Sequence, residues 1–159
     1  MTERDNVPNM MVAPLRYSVF RRMWAASLLS NFGLLVQSVG AAWAMTELTQ
    51  AADMVALVQT ATMLPLMLFA LGSGAIADTY DRRVVGLIAL AIALSGAAGL
   101  TLCTWLGGLT PLLILVFSFV IGSGIALFGP AWQASVSEQV PTTHFPAAIA
   151  LNSISYNVA

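Results

Sequence analysis

The densest group of chemically capable side chains lies at Gly72-Ser73-Gly74-Ala75-Ile76-Ala77-Asp78-Thr79-Tyr80-Asp81-Arg82-Arg83, which holds two of the six cationic and two of the seven acidic residues. Gly74 stands four residues before Asp78, so on a helix both fall on one face. The glycine clears a path for a neighbouring backbone where the carboxylate projects. Asp78 also falls at the C-terminal end of its helix, where the macrodipole repels an anion. It costs stability there unless a cation or another helix's N-terminus answers it, and Arg82 and Arg83 are the nearest cations. This is ion-pair chemistry. The one histidine, His144, sits in a loop as a surface or interface residue, and the one cysteine, Cys103, sits in an apolar run. Neither has metal-ligand or nucleophile spacing, so no enzyme, metal site or cofactor is expected. With a single cysteine there is no intrachain disulfide, and Cys103 reads as a small buried hydrophobe.

The elements that position these residues follow from composition. The chain is 58% hydrophobic and 8% charged and has no lysine, against about 25% charged residues in soluble domains. A water-soluble fold is excluded. Charge-free windows at 23–46 and 54–77 are 24 residues each, and at about 1.5 Å per residue either one covers a hydrocarbon core of about 30 Å. The window from 84 to 137 is too long for one span and breaks at Gly107-Gly108-Leu109-Thr110-Pro111, a turn signal. Helices are therefore expected near 23–46, 54–77, 84–106 and 112–136, with the start of a fifth at 146–159 that is too short to cross. The fold class is all-α integral membrane, with four complete transmembrane helices plus the start of a fifth. Residues 1–20 form a cytoplasmic N-terminal segment and 21–159 a partial N-terminal transmembrane bundle.

Arginine placement sets the topology. Arg4, Arg16, Arg21 and Arg22 precede the first helix, and Arg82 and Arg83 lie between the second and third. The turns at 47–53 and 107–111 have no basic residue. All six arginines fall on one side, which the positive-inside rule makes cytoplasmic. A multi-pass protein of the inner (plasma) membrane with a cytoplasmic N-terminus is expected. Residues 1–20 do not read as a signal peptide, having no apolar core behind a basic start. At 14–24, Arg16, Arg21 and Arg22 interleave with Tyr17, Phe20 and Trp24, a mixture suited to lying on an anionic headgroup layer. Three arginines without a broader basic surface do not make a nucleic-acid site.

Gly-x-x-x-Asp-x-x-x-Arg-Arg (Gly74, Asp78, Arg82, Arg83) between a second and a third span resembles the loop signature of the major facilitator superfamily of secondary transporters. Asp-x-Tyr-Asp-Arg-Arg is similar to the form found in its exporter branch of siderophore and macrolide efflux permeases. Where many relatives have a second glycine, this chain has Asp81. The resemblance extends through Pro-Ala-Trp-Gln-Ala at 130–134, Glu-Gln-Val-Pro at 138–141 and the stretch at 150–159. It implies a two-halved bundle working by alternating access, of which this chain is expected to be an N-terminal fragment. It implies secondary active efflux of a small amphipathic molecule such as a drug or siderophore. Its partners are the lipid bilayer, that substrate and the missing C-terminal portion. The four motif residues would lock the cytoplasmic face in one state rather than touch substrate.

Other polar residues are weighed against plain packing. In helix one, Ser30, Gly33, Gln37 and Gly40 share a stripe, with Asn31 and Ser38 beside it. Asn31 and Gln37 near mid-span are costly facing lipid, so they face protein or a water-filled cavity. The resemblance makes them candidate lining of the central pathway, and interhelical hydrogen bonding is the alternative. Asn152 with Tyr156, and Ser153 with Asn157, share faces of the fifth segment, and Asn152 is a further lining candidate. Gln59, Thr60 and Thr62, nearer the outer end of helix two, favour interhelical hydrogen bonding, while the stripe Gly86, Ala89, Ala93 and Gly96, and Ser118, Gly122 and Ala126, favour close helix contact. Pro65 and Pro130 free a carbonyl each, with a kink expected near the end of helix four. No charge lies within the four spans, and Ser118 holds the place of an arginine that some proton-coupled exporters carry. No glycine-rich phosphate loop follows a strand, so ATP-driven transport has no support. From another class, a small non-transporting membrane protein acting as an oligomer or assembly helper would use the same small-residue stripes as interfaces.

Overall fold

Five α-helices follow one another: α1 at Ser18–Leu48, α2 at Ala52–Thr79, α3 at Arg82–Trp105, α4 at Pro111–Gln139 and α5 at Phe145–Val158. Short 3-10 turns stand at Ala13–Arg16 and Thr142–His144. The computed structural model describes residues 12–158, and the side chains of residues 70, 71, 73–78, 134, 136–139 and 158 lie outside that description. Among the described residues there is no strand, and four helices are long and apolar enough to cross a membrane. The fold is all-α. Helix α1 starts upstream of its charge-free window and takes in Arg21 and Arg22. A charge ends a hydrocarbon span but does not end a helix, and arginine is a good helix former.

Local chemistry explains the boundaries. Asp81 caps α3, its carboxylate accepting from the backbone N–H groups of Arg83 (2.8 Å) and Val84 (3.3 Å). The other end of α3 closes in a Schellman turn. Gly107 takes φ +69°, its N–H donates to the Thr104 carbonyl at 3.1 Å, and the Gly108 N–H donates to Cys103 at 3.0 Å. Only glycine takes that left-handed conformation without strain. Three residues later Thr110 caps α4, its hydroxyl accepting from the Leu113 N–H at 3.3 Å. Pro111 fills the first helical position, where its missing N–H costs nothing. Both interior prolines, Pro65 and Pro130, lie within unbroken helices.

The chain divides into two units, Gln37–Trp132 and the residues up to Val36 with those from Gln133 onward. In the first, α4 is the central element, with 33% of its apolar span buried against 17% for α3. Its glycines explain why. A Cβ at Gly122 would strike the Thr62 carbonyl of α2, and one at Gly124 would lie 2.5 Å from the Ala89 carbonyl oxygen of α3. Backbone meets backbone, which is how helices gain dispersion contact where lipid is as apolar as leucine. Ala41, Met45, Val58 and Ile114 form the apolar cluster of this unit at the ends of α1, α2 and α4 nearest their short connections.

In the other unit the expectation for the juxtamembrane aromatics is corrected. Phe20 is fully buried and Trp24 half-buried, with the Trp24 indole N–H donating to the Leu151 carbonyl of α5 at 2.8 Å. These rings anchor to protein rather than to headgroups, because an indole N–H in apolar surroundings needs an acceptor and α5 supplies one. Tyr17 and His144 have ring centroids 6.0 Å apart, tilted by 50°.

Candidate functional site

A serine or threonine inside a membrane helix has a default partner, the carbonyl one turn back. Thr60, Thr62, Thr101, Thr104, Ser123 and Ser153 donate to the carbonyl four residues before them, at 2.8–3.2 Å. Ser95 donates to Ile92, three back, at 2.7 Å. Each of these hydroxyls has its one O–H donor engaged locally and is left only as an acceptor toward a ligand. Thr60 and Thr62, expected to bond between helices, donate within α2 instead, to Ala56 and Val58.

Two polar atoms break the pattern. The Ser118 hydroxyl in α4 is fully buried with no hydrogen-bond partner among the described residues, and so is the side-chain carbonyl oxygen Oε1 of half-buried Gln37 in α1. Both belong to the Gln37–Trp132 unit. A buried orphan of this kind costs about 1–3 kcal/mol, so it persists where the partner arrives from elsewhere, as a water, a ligand or another helix. Sequence spacing placed Gln37 among the lining candidates. It assigned Ser118 to packing, because its stripe with Gly122 and Ala126 gives no sign that the hydroxyl would turn away from its own helix.

Asn31 is engaged. Its amide donates to the Ser155 carbonyl at 3.2 Å and to the Ser155 hydroxyl at 3.0 Å, and Ser155 is fully buried. Trp24 and Asn31 stand seven residues apart on α1, and Leu151 and Ser155 four apart on α5. Both pairs keep one face, so the two helices carry a two-rung hydrogen-bonded seam. Asn152 is half-buried beside Leu151. The other polar face of α5 serves its own backbone: the Asn157 amide donates to the Ser153 carbonyl at 2.7 Å. Ser155 was not singled out in the sequence; the signal was the four-residue step from Leu151.

Of the loop motif, Arg82 is half-buried and Arg83 exposed at the start of α3. Gly74 and Asp78 fall in the last turns of α2, and their side chains lie outside the described residues. The Asp81 carboxylate is occupied as the α3 cap, which gives the residue standing where many relatives have glycine a structural task. Among the described residues no group of three or more histidine, cysteine, aspartate or glutamate side chains could hold a metal. Between α2 and α4 runs an open apolar groove of about 340 Å³, lined by Leu57, Leu64, Leu115, Phe119 and Val120 among others. Thr60 also lines it, and with its O–H donated to Ala56 its hydroxyl can act there only as an acceptor.

Comparison with known proteins gives a consistent picture. The family model described as transmembrane secretion effector matches residues 9–159. The chain is 30% identical over 130 residues to the multidrug efflux pump Tap of Mycobacterium tuberculosis and to that of Mycobacterium bovis. The similarity covers 82% of this chain, which spans 31% of the length of those curated relatives. No solved structure matches the chain at a significant level. With four membrane-crossing helices and a family match over nearly its whole length, this chain belongs to the transmembrane secretion effector family, a multi-pass branch of the major facilitator superfamily.

Proposed function

We propose that this chain forms the N-terminal part of a secondary transporter that moves small amphipathic molecules out of the cell by alternating access. The observation that carries the reading is the 130-residue similarity to multidrug efflux pumps, beside a family match over residues 9–159 that takes in all four spans and the charged turn between α2 and α3. The N-terminus is assigned to the cytoplasm because all six arginines lie before the charge-free window of α1 or after α2. Substrate selection and the coupling ion belong to the assembled transporter, in which two halves rock about a central site.

Within this reading the polar residues divide by role. Gln37 is the leading candidate for contact with a polar group in the pathway, since its buried oxygen accepts from nothing in the described residues. A substrate bearing an N–H or O–H donor would satisfy it. Asn31 and Asn152 are second candidates, and the bond from Asn31 to Ser155 makes its first duty structural. Gly74, Asp78, Arg82 and Arg83 are assigned to holding the cytoplasmic face in one state. Asp78→Asn in the full-length transporter is expected to cripple efflux of a fluorescent amphipathic dye while membrane insertion is unchanged. Normal efflux by that variant would sink the assigned role.

A further inference from the structure

The start of α1 and the turn before it carry three arginines that, among the described residues, have no opposite charge beside them. Arg16, Arg21 and Arg22 are exposed, and no acid stands between Asp5 and Glu47 in the sequence. Among the described residues, Arg16 and Arg22 have no partner, and Arg21 reaches only a carbonyl, its Nη1 lying 3.5 Å from Leu15 O. The first turn of α1 contains no acid, and the helix's own dipole disfavours cations there. Only an anion from outside the segment relieves this local excess of positive charge.

The backbone under the arginines is fixed. Ala13 and Pro14 are buried in the 3-10 turn, and the Tyr17 N–H donates to the Pro14 carbonyl at 3.1 Å. The Arg21 N–H donates to the Tyr17 carbonyl at 2.9 Å, tying the turn to the helix. Phe20, between Arg16 and Arg21, is fully buried. A mobile basic tail would sample many arrangements; this segment fixes the backbone from which the three exposed arginine side chains project, within seven residues. The charge-free window of α1 opens at Met23, immediately after Arg22. The cluster therefore sits at the depth of lipid phosphates, and guanidinium forks match phosphate oxygens.

We propose that Arg16, Arg21 and Arg22 form a fixed site for the phosphate headgroup of an anionic phospholipid. The site is independent of which substrate the transporter carries. The test uses the purified 159-residue chain in neutral detergent, where insertion orientation does not enter, titrated with dioleoylphosphatidylglycerol or dioleoylphosphatidylcholine and read by native mass spectrometry. The wild type is expected to prefer the anionic lipid, with the preference falling about fivefold per arginine removed. R16Q/R21Q/R22Q should lose it and R82Q/R83Q should keep it. Phe20→Ala, which keeps every charge, should weaken it while circular dichroism shows the helices intact. Three results overturn the proposal: equal binding of both lipids by the wild type, as would follow if Glu3 and Asp5 neutralise the cluster; an unchanged preference in the triple variant; or equal loss in R82Q/R83Q.

Discussion

Gly122→Ala tests the account of how α2 and α4 are held together. A Cβ built at Gly122 falls against the Thr62 carbonyl oxygen and lies 2.9 Å from the carbonyl carbon and 3.1 Å from the Thr62 Cα. Non-bonded carbons prefer about 3.5–4.0 Å, so the helices must part by roughly 0.5–1 Å, and neither partner is a side chain that can swing away. A gap of that size forfeits about a quarter to a half of each affected dispersion contact, and overpacking of this kind costs about 1–3 kcal/mol. For a chain of this size each kcal/mol moves the midpoint by about 2–4 °C, which gives a fall of roughly 2–12 °C in a detergent melt. The controls are in the same chain. A Cβ at Gly33 or Gly40 meets nothing within 4 Å, so Gly33→Ala and Gly40→Ala should melt at or slightly above the wild-type temperature. If Gly122→Ala melts with them, the backbone contact between α2 and α4 does not hold the unit together.

Three further outcomes follow from the hydrogen-bond pattern. Ser118→Ala removes a buried hydroxyl that has no partner among the described residues and should raise stability by about 1 kcal/mol, seen as a higher melting temperature; a fall would mean that the hydroxyl already has a partner. Asn31→Leu removes the bond from α1 to Ser155 and should cost about 0.6–1.7 kcal/mol, with faster proteolysis after α4 as the local readout. Asp81→Ala uncaps α3 and should cost about 1 kcal/mol, whereas Asp81→Ser should keep most of that stability. Equal melting of the two Asp81 variants would remove the capping assignment.

Helix number was legible in the sequence because it depends on a length and a charge count, and both are local. The turn at 107–111 was legible for a similar reason: a glycine pair followed by threonine and proline encodes its own hydrogen bonds, and the φ of +69° at Gly107 is what that composition allows. Packing was less legible. Gly33 with Gly40, seven apart, and Ser118 with Gly122, four apart, each put two small residues on one helix face, yet the first pair meets open space and Gly122 meets a carbonyl. Spacing says which residues share a face and is silent about what the face meets. The bond from Asn31 to Ser155 joins residues 124 apart in the chain, so no local pattern announced it. Phe20 and Trp24 were misread for the same reason, since an aromatic beside arginine looks alike whether its neighbour is a headgroup or α5. In the loop motif the residue types were plain, and the structure adds that Asp81 is committed to capping α3.

The turn between α3 and α4 has a consequence for biogenesis. Residues 106–110 carry no charge, and the Leu106, Gly107 and Gly108 N–H groups donate back into α3 while Thr110 caps α4. A peptide segment entering hydrocarbon loses most where its polar groups have no internal partner, and this turn arrives with many already paired. The turn joining α2 to α3 carries Asp81, Arg82 and Arg83 and is far costlier to carry through. The two ends of the α3–α4 hairpin thus differ in the work needed to translocate them. In the orientation proposed above, with the N-terminus in the cytoplasm, a nascent chain can commit the hairpin to the bilayer as a pair, its uncharged tip leading, before the later helices are made.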